Sequence, residues 1–214
     1  MSKTGPSRRY YPAQPRSAKA KQIQNQTLIF CKPYQVLASF TDPEGRPTIG
    51  NYVTVPHVYP AGRLDYDSEG LLILTSDGKL AHRITHPRYK LKKTYLVQVE
   101  NIPNEASLAQ LQQGVFIKDK KTRPAEVELL AHEPEIFPRS TPIRYRKTIP
   151  TAWLKMTLHE GRKRQIRQMT AAVGHPTLRL IRIAIGPITL NNLLPGQWRE
   201  LTRAELQALW ASLS

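Results

Sequence analysis

The sequence has a single cysteine, Cys31, so no disulfide can form within the chain and a cysteine-built zinc site lacks ligands. A lone thiol fits a reducing compartment, and the expected location is the cytoplasm. No apolar stretch approaches the roughly 20 residues that a membrane-spanning helix needs. The N-terminus carries no apolar core of a secretory signal. Acid is scarce: 16 Asp and Glu stand against 32 Lys and Arg, giving a formal charge of +16 and a pI near 10.2. Such an excess implies a polyanionic partner, with nucleic acid first. A membrane surface is the weaker alternative, because no strongly amphipathic basic helix stands out. The charge speaks for binding to a phosphate backbone and says nothing of catalysis.

The 214 residues suffice for one domain or two small lobes that share a core. Residues 1–26 contain Lys3, Arg8, Arg9, Arg16, Lys19 and Lys21, no acid, and three prolines. This composition predicts a disordered basic tail, with Tyr10 and Tyr11 available for stacking on RNA. Thr27 to Cys31 reads as a first strand, ended by Lys32-Pro33-Tyr34. After Gly78, Leu80, Ala81 and Ile84 share a helical face until Pro87. His82 and His86 lie four apart on it, but no third ligand makes them a metal pair. Lys93 to Val99 alternates as a strand with Tyr95, Val97 and Val99 on one side. Asn104 caps a short helix that Gly114 ends; strands follow at Val115–Lys118 and Val127–Ala131.

The stretch that organises the rest is Gly62-Arg63-Leu64-Asp65-Tyr66-Asp67-Ser68-Glu69-Gly70, followed by the apolar run Leu71 to Thr75. The run is short and lies between breakers, which predicts a strand buried on both faces. Three acids leading into it need a reason, since like charges repel and desolvated carboxylates are costly. Four readings compete: a solvated loop, a calcium loop, a magnesium nuclease site, and one activated Asp steered by an Arg. The calcium reading fails, because Ser76 stands where that loop needs a bidentate Glu. Spacing alone does not separate the last two.

Residues 133–151 lack a periodic pattern and hold four prolines with Arg139, Arg144, Arg146 and Lys147. A loop of that length and charge is expected to contact RNA. Trp153 to Glu160 then alternates, with Leu154, Met156 and Leu158 on one side. Glu160-Gly161-Arg162 turns the chain into a basic run from which a helix starts at Gln165; Ile166, Met169 and Val173 line one face and Gly174 ends it. Arg179 to Gly186 is strand-like, and Thr202-x-x-Glu205 forms a capping box for a last helix.

Gly62-Arg63-Leu64-Asp65-x-Asp67-Ser68-Glu69-Gly70-Leu71-Leu72 resembles the signature of the pseudouridine synthases of the ribosomal small-subunit type. Lys93-x-Tyr95, Glu160-Gly-Arg-x-Arg-Gln-Ile-Arg167 and Leu194-Pro-Gly-x-Trp-Arg-x-Leu201 resemble that family's other motifs. Gln168 stands where the family often has a second Arg or Lys. The likeness spans about residues 27–201, and Pro142 to Leu154 ties it to a member that acts on large-subunit (23S) ribosomal RNA. It implies an α+β fold with a mixed, mostly antiparallel sheet shared by two lobes, about 27–100 and 101–214, around an active cleft. The N-terminal S4 module of several relatives is not expected in 26 such residues.

The resemblance implies an enzyme that isomerises uridine to pseudouridine in large-subunit ribosomal RNA, as a monomer, with no cofactor, metal or membrane. Asp65 would be catalytic, as nucleophile or as base at the sugar. Arg167 would pair with it and keep it ionised, and Tyr95 would stack on the uracil. Arg63, Lys93, Arg144, Arg146, Lys147, Arg162 and Arg164 would bind RNA. The target must leave its helix, which costs least in loosely paired RNA. A two-carboxylate glycosidase using Asp65 and Glu69 is discounted, because a hydrolase admits water and this isomerisation must exclude it. The competing class is a non-catalytic ribosomal RNA-binding protein or assembly factor.

Overall fold

The computed structural model describes residues 25–143, 146 and 148–213. The tail to residue 24, and Arg144 and Lys147, lie outside the described residues. The strands are β1 (Thr27–Lys32), β2 (Tyr59–Pro60), β3 (Glu69–Thr75), β4 (Lys93–Glu100), β5 (Phe116–Ile117), β6 (Lys120–Lys121), β7 (Glu126–Leu129), β8 (Thr151–Leu158), β9 (Thr177–Ile185), β10 (Ile188–Thr189) and β11 (Trp198–Glu200). The helices are α1 (Gly78–Thr85), α2 (Glu105–Gln113), α3 (Gln165–Ala172) and α4 (Arg203–Ala211).

One sheet runs in the order β11-β1-β3-β9-β4-β8-β7, with β2 added on β3 and β10 on β9. The β3–β9 pair is parallel and the others are antiparallel, so the fold is α+β around a mixed, mostly antiparallel sheet. β3 is buried along its whole length. Leu71 and Ile73 face the cluster that holds Ile29, Leu80, Leu209 and Leu213, while Leu72 and Leu74 face Phe30, Ile49 and Val58. Burying one such Leu stabilises the fold by about 1.5–3 kcal/mol, which is why this segment sits at the centre. Beyond β9, Val97, Leu111, Leu154, Met156, Ile166 and Met169 form a further cluster. Each half of the sheet therefore draws on chain from both sides of residue 100.

β3 and β9 approach closely because Gly70 has no side chain. A Cβ there would stand 2.4 Å from the Arg182 carbonyl, and its φ of +97° suits glycine. The helix ends follow local chemistry. Asp77 accepts from the backbone N–H of Lys79 and Leu80 at the start of α1, and Asn104 from Ser107 at the start of α2. At α4, Thr202 and Glu205 form the capping box, and Arg199 grips Glu205 at 2.7 and 2.8 Å. That Arg hydrogen bond holds the Glu205 carboxyl down at about 2.

Two segments differ from the sequence expectation. The strand expected at Val115–Lys118 is only Phe116–Ile117, because Lys118 and Asp119 both take positive φ and turn the chain straight into β6. The loop before β8 is not wholly given to solvent. Its Ile136 and Phe137 pack over Leu96, Trp153 and Ile181, covering the sheet face opposite Leu154 and Met156.

Candidate active site

Asp65 lies in the turn between β2 and β3, at a cleft of about 530 Å³ that opens where the two halves of the sheet meet on β9. The volume falls within the range of small-ligand pockets and suits a nucleotide. Arg63, Asp65 and Ser68 line one side, Lys93 and Tyr95 of β4 the floor, and Arg162, Lys163 and Arg164 the opposite wall. Lys93 and Tyr95 are two apart on one strand, so both side chains project from the same sheet face. Arg182 of β9 pairs in register with Tyr95 and lines the same cleft.

The acidic turn is held from below. Lys32 is completely buried, and its ammonium donates to the carbonyls of Pro33, Val36 and, at 3.5 Å, Tyr66. Burial lowers its pKa to about 8, while Glu69, Asp67 and Asp65 pull it back up. Glu69 is buried too, bonded at 2.9 Å to both Nε and Nη2 of Arg179. This pair explains how a carboxylate can begin a buried strand. Arg182 donates to the Leu71 carbonyl at 2.7 Å and reaches the Arg63 carbonyl at 3.5 Å.

The opposite wall is tied down as well. Glu160 accepts from the Arg123 backbone N–H and from Gln165, and Gln165 accepts in turn from the Arg162 backbone N–H. Gln168 closes the turn on the Lys163 carbonyl. Arg164 takes a left-handed conformation, φ 54° and ψ 33°, immediately before α3, a strained setting for a residue with a side chain. Its guanidinium meets both oxygens of Asp67 at 2.8 and 2.9 Å and stands 4.0 Å from Asp65 Oδ2.

The partner expected for Asp65 is therefore corrected. Arg167 binds Asp67, through the backbone carbonyl at 2.6 Å and the carboxylate at 3.4 Å, and among the described residues no Asp65–Arg167 ion pair forms. The reason is geometric: Arg167 lies one turn into α3, behind the wall, with only 12% of its side chain exposed. Burial lowers its pKa despite the nearby carboxylates. For Asp67, burial alone would raise the pKa; the Arg164 hydrogen bonds and the Arg167 charge outweigh it and hold the carboxyl below its ordinary value. Burial likewise lowers Lys93 to about 8, helped by the positive charge of Arg182.

Of the residues singled out in the sequence, Arg63, Asp65, Lys93, Tyr95, Arg162 and Arg164 meet at the cleft, and Arg167 braces it from behind. Arg146 does not: it pairs with Glu100 at 3.1 Å, at the opposite end of β4 from Lys93. Arg144 and Lys147 lie outside the described residues. The His82 and His86 rings lie tilted with centroids 5.0 Å apart; the His86 backbone N–H donates to the His82 carbonyl at the end of α1, and its ring accepts from the Arg88 backbone N–H to cap the turn at Pro87–Tyr89. Sequence reasoning misses Asp67, Lys32, Arg179 and Arg182 as parts of the site; Asp67 lies within the acidic motif, which is a signal that could have found it, whereas Arg179 and Arg182 stand in the apolar run of β9 and carry no such local signal.

The family described as RNA pseudouridylate synthase matches residues 26–172. Ribosomal large subunit pseudouridine synthase E of Xanthomonas campestris is 55% identical over 174 residues, 80% of this chain and 93% of its own. The enzyme of that name from Vibrio vulnificus is 50% identical over 179 residues, 84% of this chain and 76% of its own. A crystal structure of a pseudouridylate synthase superposes with a TM-score of 0.73 at 31% identity, covering 87% of this chain and 74% of the other. A cleft sized for one nucleotide, with an open carboxylate at its mouth and a tyrosine on its floor, sits in the segment that these likenesses share; the chain belongs to the RNA pseudouridylate synthase family and is an RNA pseudouridine synthase.

Proposed function

We propose that this chain isomerises uridine in large-subunit ribosomal RNA, as its 50–55% identical relatives are named for doing, with Asp65 as the group that acts at the sugar. The reaction breaks the N1–C1′ bond, turns the freed uracil and joins C5 to C1′. N1 gains the hydrogen that C5 gives up, so substrate and product are isomers and no redox partner or group donor enters. The observation that carries the reading is the placement of Asp65. It is about one-third exposed at the cleft, faces the wall that carries Arg164, and shares the cavity with Tyr95.

Asp65 attacks or deprotonates the ribose. Arg164 supplies the positive charge beside it, and the Asp67 clamp fixes where that charge sits. Tyr95 stacks on the swung-out uracil and limits its movement to rotation. Arg63, Lys93 and Arg162 take the flanking phosphates, which gives a salt-dependent affinity. The chain acts as a cytoplasmic monomer. Among the described residues no helix is long and apolar enough to cross a membrane.

Mapping pseudouridine in large-subunit ribosomal RNA from cells with and without this protein tests the reading. Loss of one modified position in the deleted strain, restored by the wild-type gene, is the expected result. An unchanged map beside altered subunit assembly would favour a binding protein.

A further inference from the structure

Beside the catalytic cleft, the β5–β6 hairpin holds an aromatic ring in the open. Phe116 is 70% exposed, the most of any large hydrophobic residue described, although its neighbour Ile117 is buried in the core. The hairpin fixes this arrangement. Phe116 pairs with Lys121 and Ile117 with Lys120. Successive side chains point to opposite faces, so the ring is turned outward beside Lys121 while Ile117 anchors the other face. Thr122 closes the base: its hydroxyl accepts from the Val115 backbone N–H, and its own backbone N–H donates to the Val115 carbonyl. A single exposed apolar ring needs no partner by itself; what distinguishes Phe116 is the hairpin that holds it outward and the charge that surrounds it.

The surroundings point to a partner. Lys118, Lys120 and Lys121 are all exposed within the same hairpin. Arg162, a residue of the cleft wall, donates to the carbonyls of Lys120 and Lys121 at 3.2 and 2.8 Å and so joins the hairpin to the wall. Any RNA whose nucleotide enters the cleft passes this wall. An aromatic face among cations, beside a nucleotide cavity, suits a stacked base with its phosphates on either side.

We propose that Phe116 is a stacking platform for an unpaired RNA base flanking the target uridine, with Lys118, Lys120 and Lys121 holding the adjoining phosphates. This rests on the RNA-modifying reading and extends it to a second point of contact outside the cleft. It makes the enzyme bind a loop or an opened strand in preference to a closed duplex. It also divides the affinity into a stacking part that salt does not screen and a lysine part that it does.

Binding of a hairpin RNA with an unpaired, uridine-containing loop is measured at several salt concentrations, beside a fully paired duplex. Phe116→Ala is expected to weaken loop binding about tenfold at every salt concentration, with the salt slope unchanged and the duplex little affected. Lys120→Ala with Lys121→Ala is expected to lower the slope by about 0.7 per residue. Phe116→Trp is expected to keep the affinity and to add a tryptophan emission, above that of the wild type, which the loop RNA quenches. Equal loop affinity for Phe116→Ala and wild type would overturn the platform. So would an added emission in Phe116→Trp that the bound loop leaves unquenched. Conversion of uridine by the wild type reports separately on the catalytic reading, so a failed platform leaves that reading intact.

Discussion

Arg164 and Asp67 lie 97 residues apart and meet through two parallel hydrogen bonds of 2.8 and 2.9 Å. This fork joins the acidic turn to the basic wall across the mouth of the cleft. It leaves Asp65, two residues earlier, beside the guanidinium at 4.0 Å without a bond that would occupy its oxygens. A carboxylate that must act on a ribose needs free oxygens and a fixed position, and the division of labour between Asp65 and Asp67 provides both.

Asp67→Ala removes the clamp and keeps Asp65. A misplacement of about 1 Å can cost 100-fold in rate, so kcat/KM is expected to fall by about that factor. The Arg164 and Asp67 side chains are 42% and 32% exposed. Solvent therefore screens that pair, and its own share of stability is about 1 kcal/mol or less; any larger loss reports Arg167, only 12% exposed, left without the Asp67 carboxylate. Steady-state kinetics beside urea unfolding check both expectations. A rate equal to wild type would show that Arg164 needs no clamp.

Lys93 gives the site a dependence on pH. Its ammonium is charged below about 8 and loses its proton above that value, against an ordinary 10.5. If the charge holds RNA, kcat/KM falls as pH rises through about 8, and Lys93→Arg carries activity to higher pH. The linkage to folding has the opposite sense. Between about 8 and 10.5 the unfolded chain binds more protons here, so the cost of burying this charge is felt in full below about 8 and is gone above 10.5, and stability rises with pH across that window. A pH–rate profile of wild type and Lys93→Arg decides whether this lysine sets the alkaline limb.

Tyr95→Leu keeps bulk on the cleft floor and removes the ring. Turnover is expected to fall more than RNA affinity, because the base is held by stacking only after it has swung out. Comparison of single-turnover rates with binding constants separates the two. A larger loss in affinity would move Tyr95 from the reacting base to the general RNA contact.

Arg179→Met leaves Glu69 charged and buried without its partner. Breaking such a pair costs about 3–5 kcal/mol, and replacing Glu69 as well, by Leu, should recover most of it. Urea unfolding of the single and double variants measures the difference. A mild effect of the single change would mean that water reaches Glu69.

Much of this architecture can be read along the chain. The apolar run of β3 between Gly70 and Ser76, the caps Asn104 and Thr202, and the alternation of β4 and β8 are local signals. The meeting of Asp65, Tyr95 and the basic turn is not local and is legible only through motif resemblance. What escapes depends on contacts over about a hundred residues. Glu69 and Arg179 are 110 apart, and nothing beside either reports the other. The motif points Arg167 at the wrong acid of two neighbours, because it names residues without fixing which side chain an approaching guanidinium meets. Ile136 and Phe137 are hidden among prolines and arginines, so a loop that packs partly on Trp153 looks wholly solvent-facing in the sequence.

The most direct test is conversion of uridine to pseudouridine in a protein-free large-subunit RNA fragment, with chelator present, by wild type and Asp65→Asn. Wild type is expected to form pseudouridine undisturbed by the chelator, and Asp65→Asn is expected to form none while binding the RNA as tightly. Pseudouridine formed by Asp65→Asn at the wild-type rate would contradict the assignment of Asp65 as the reacting carboxylate.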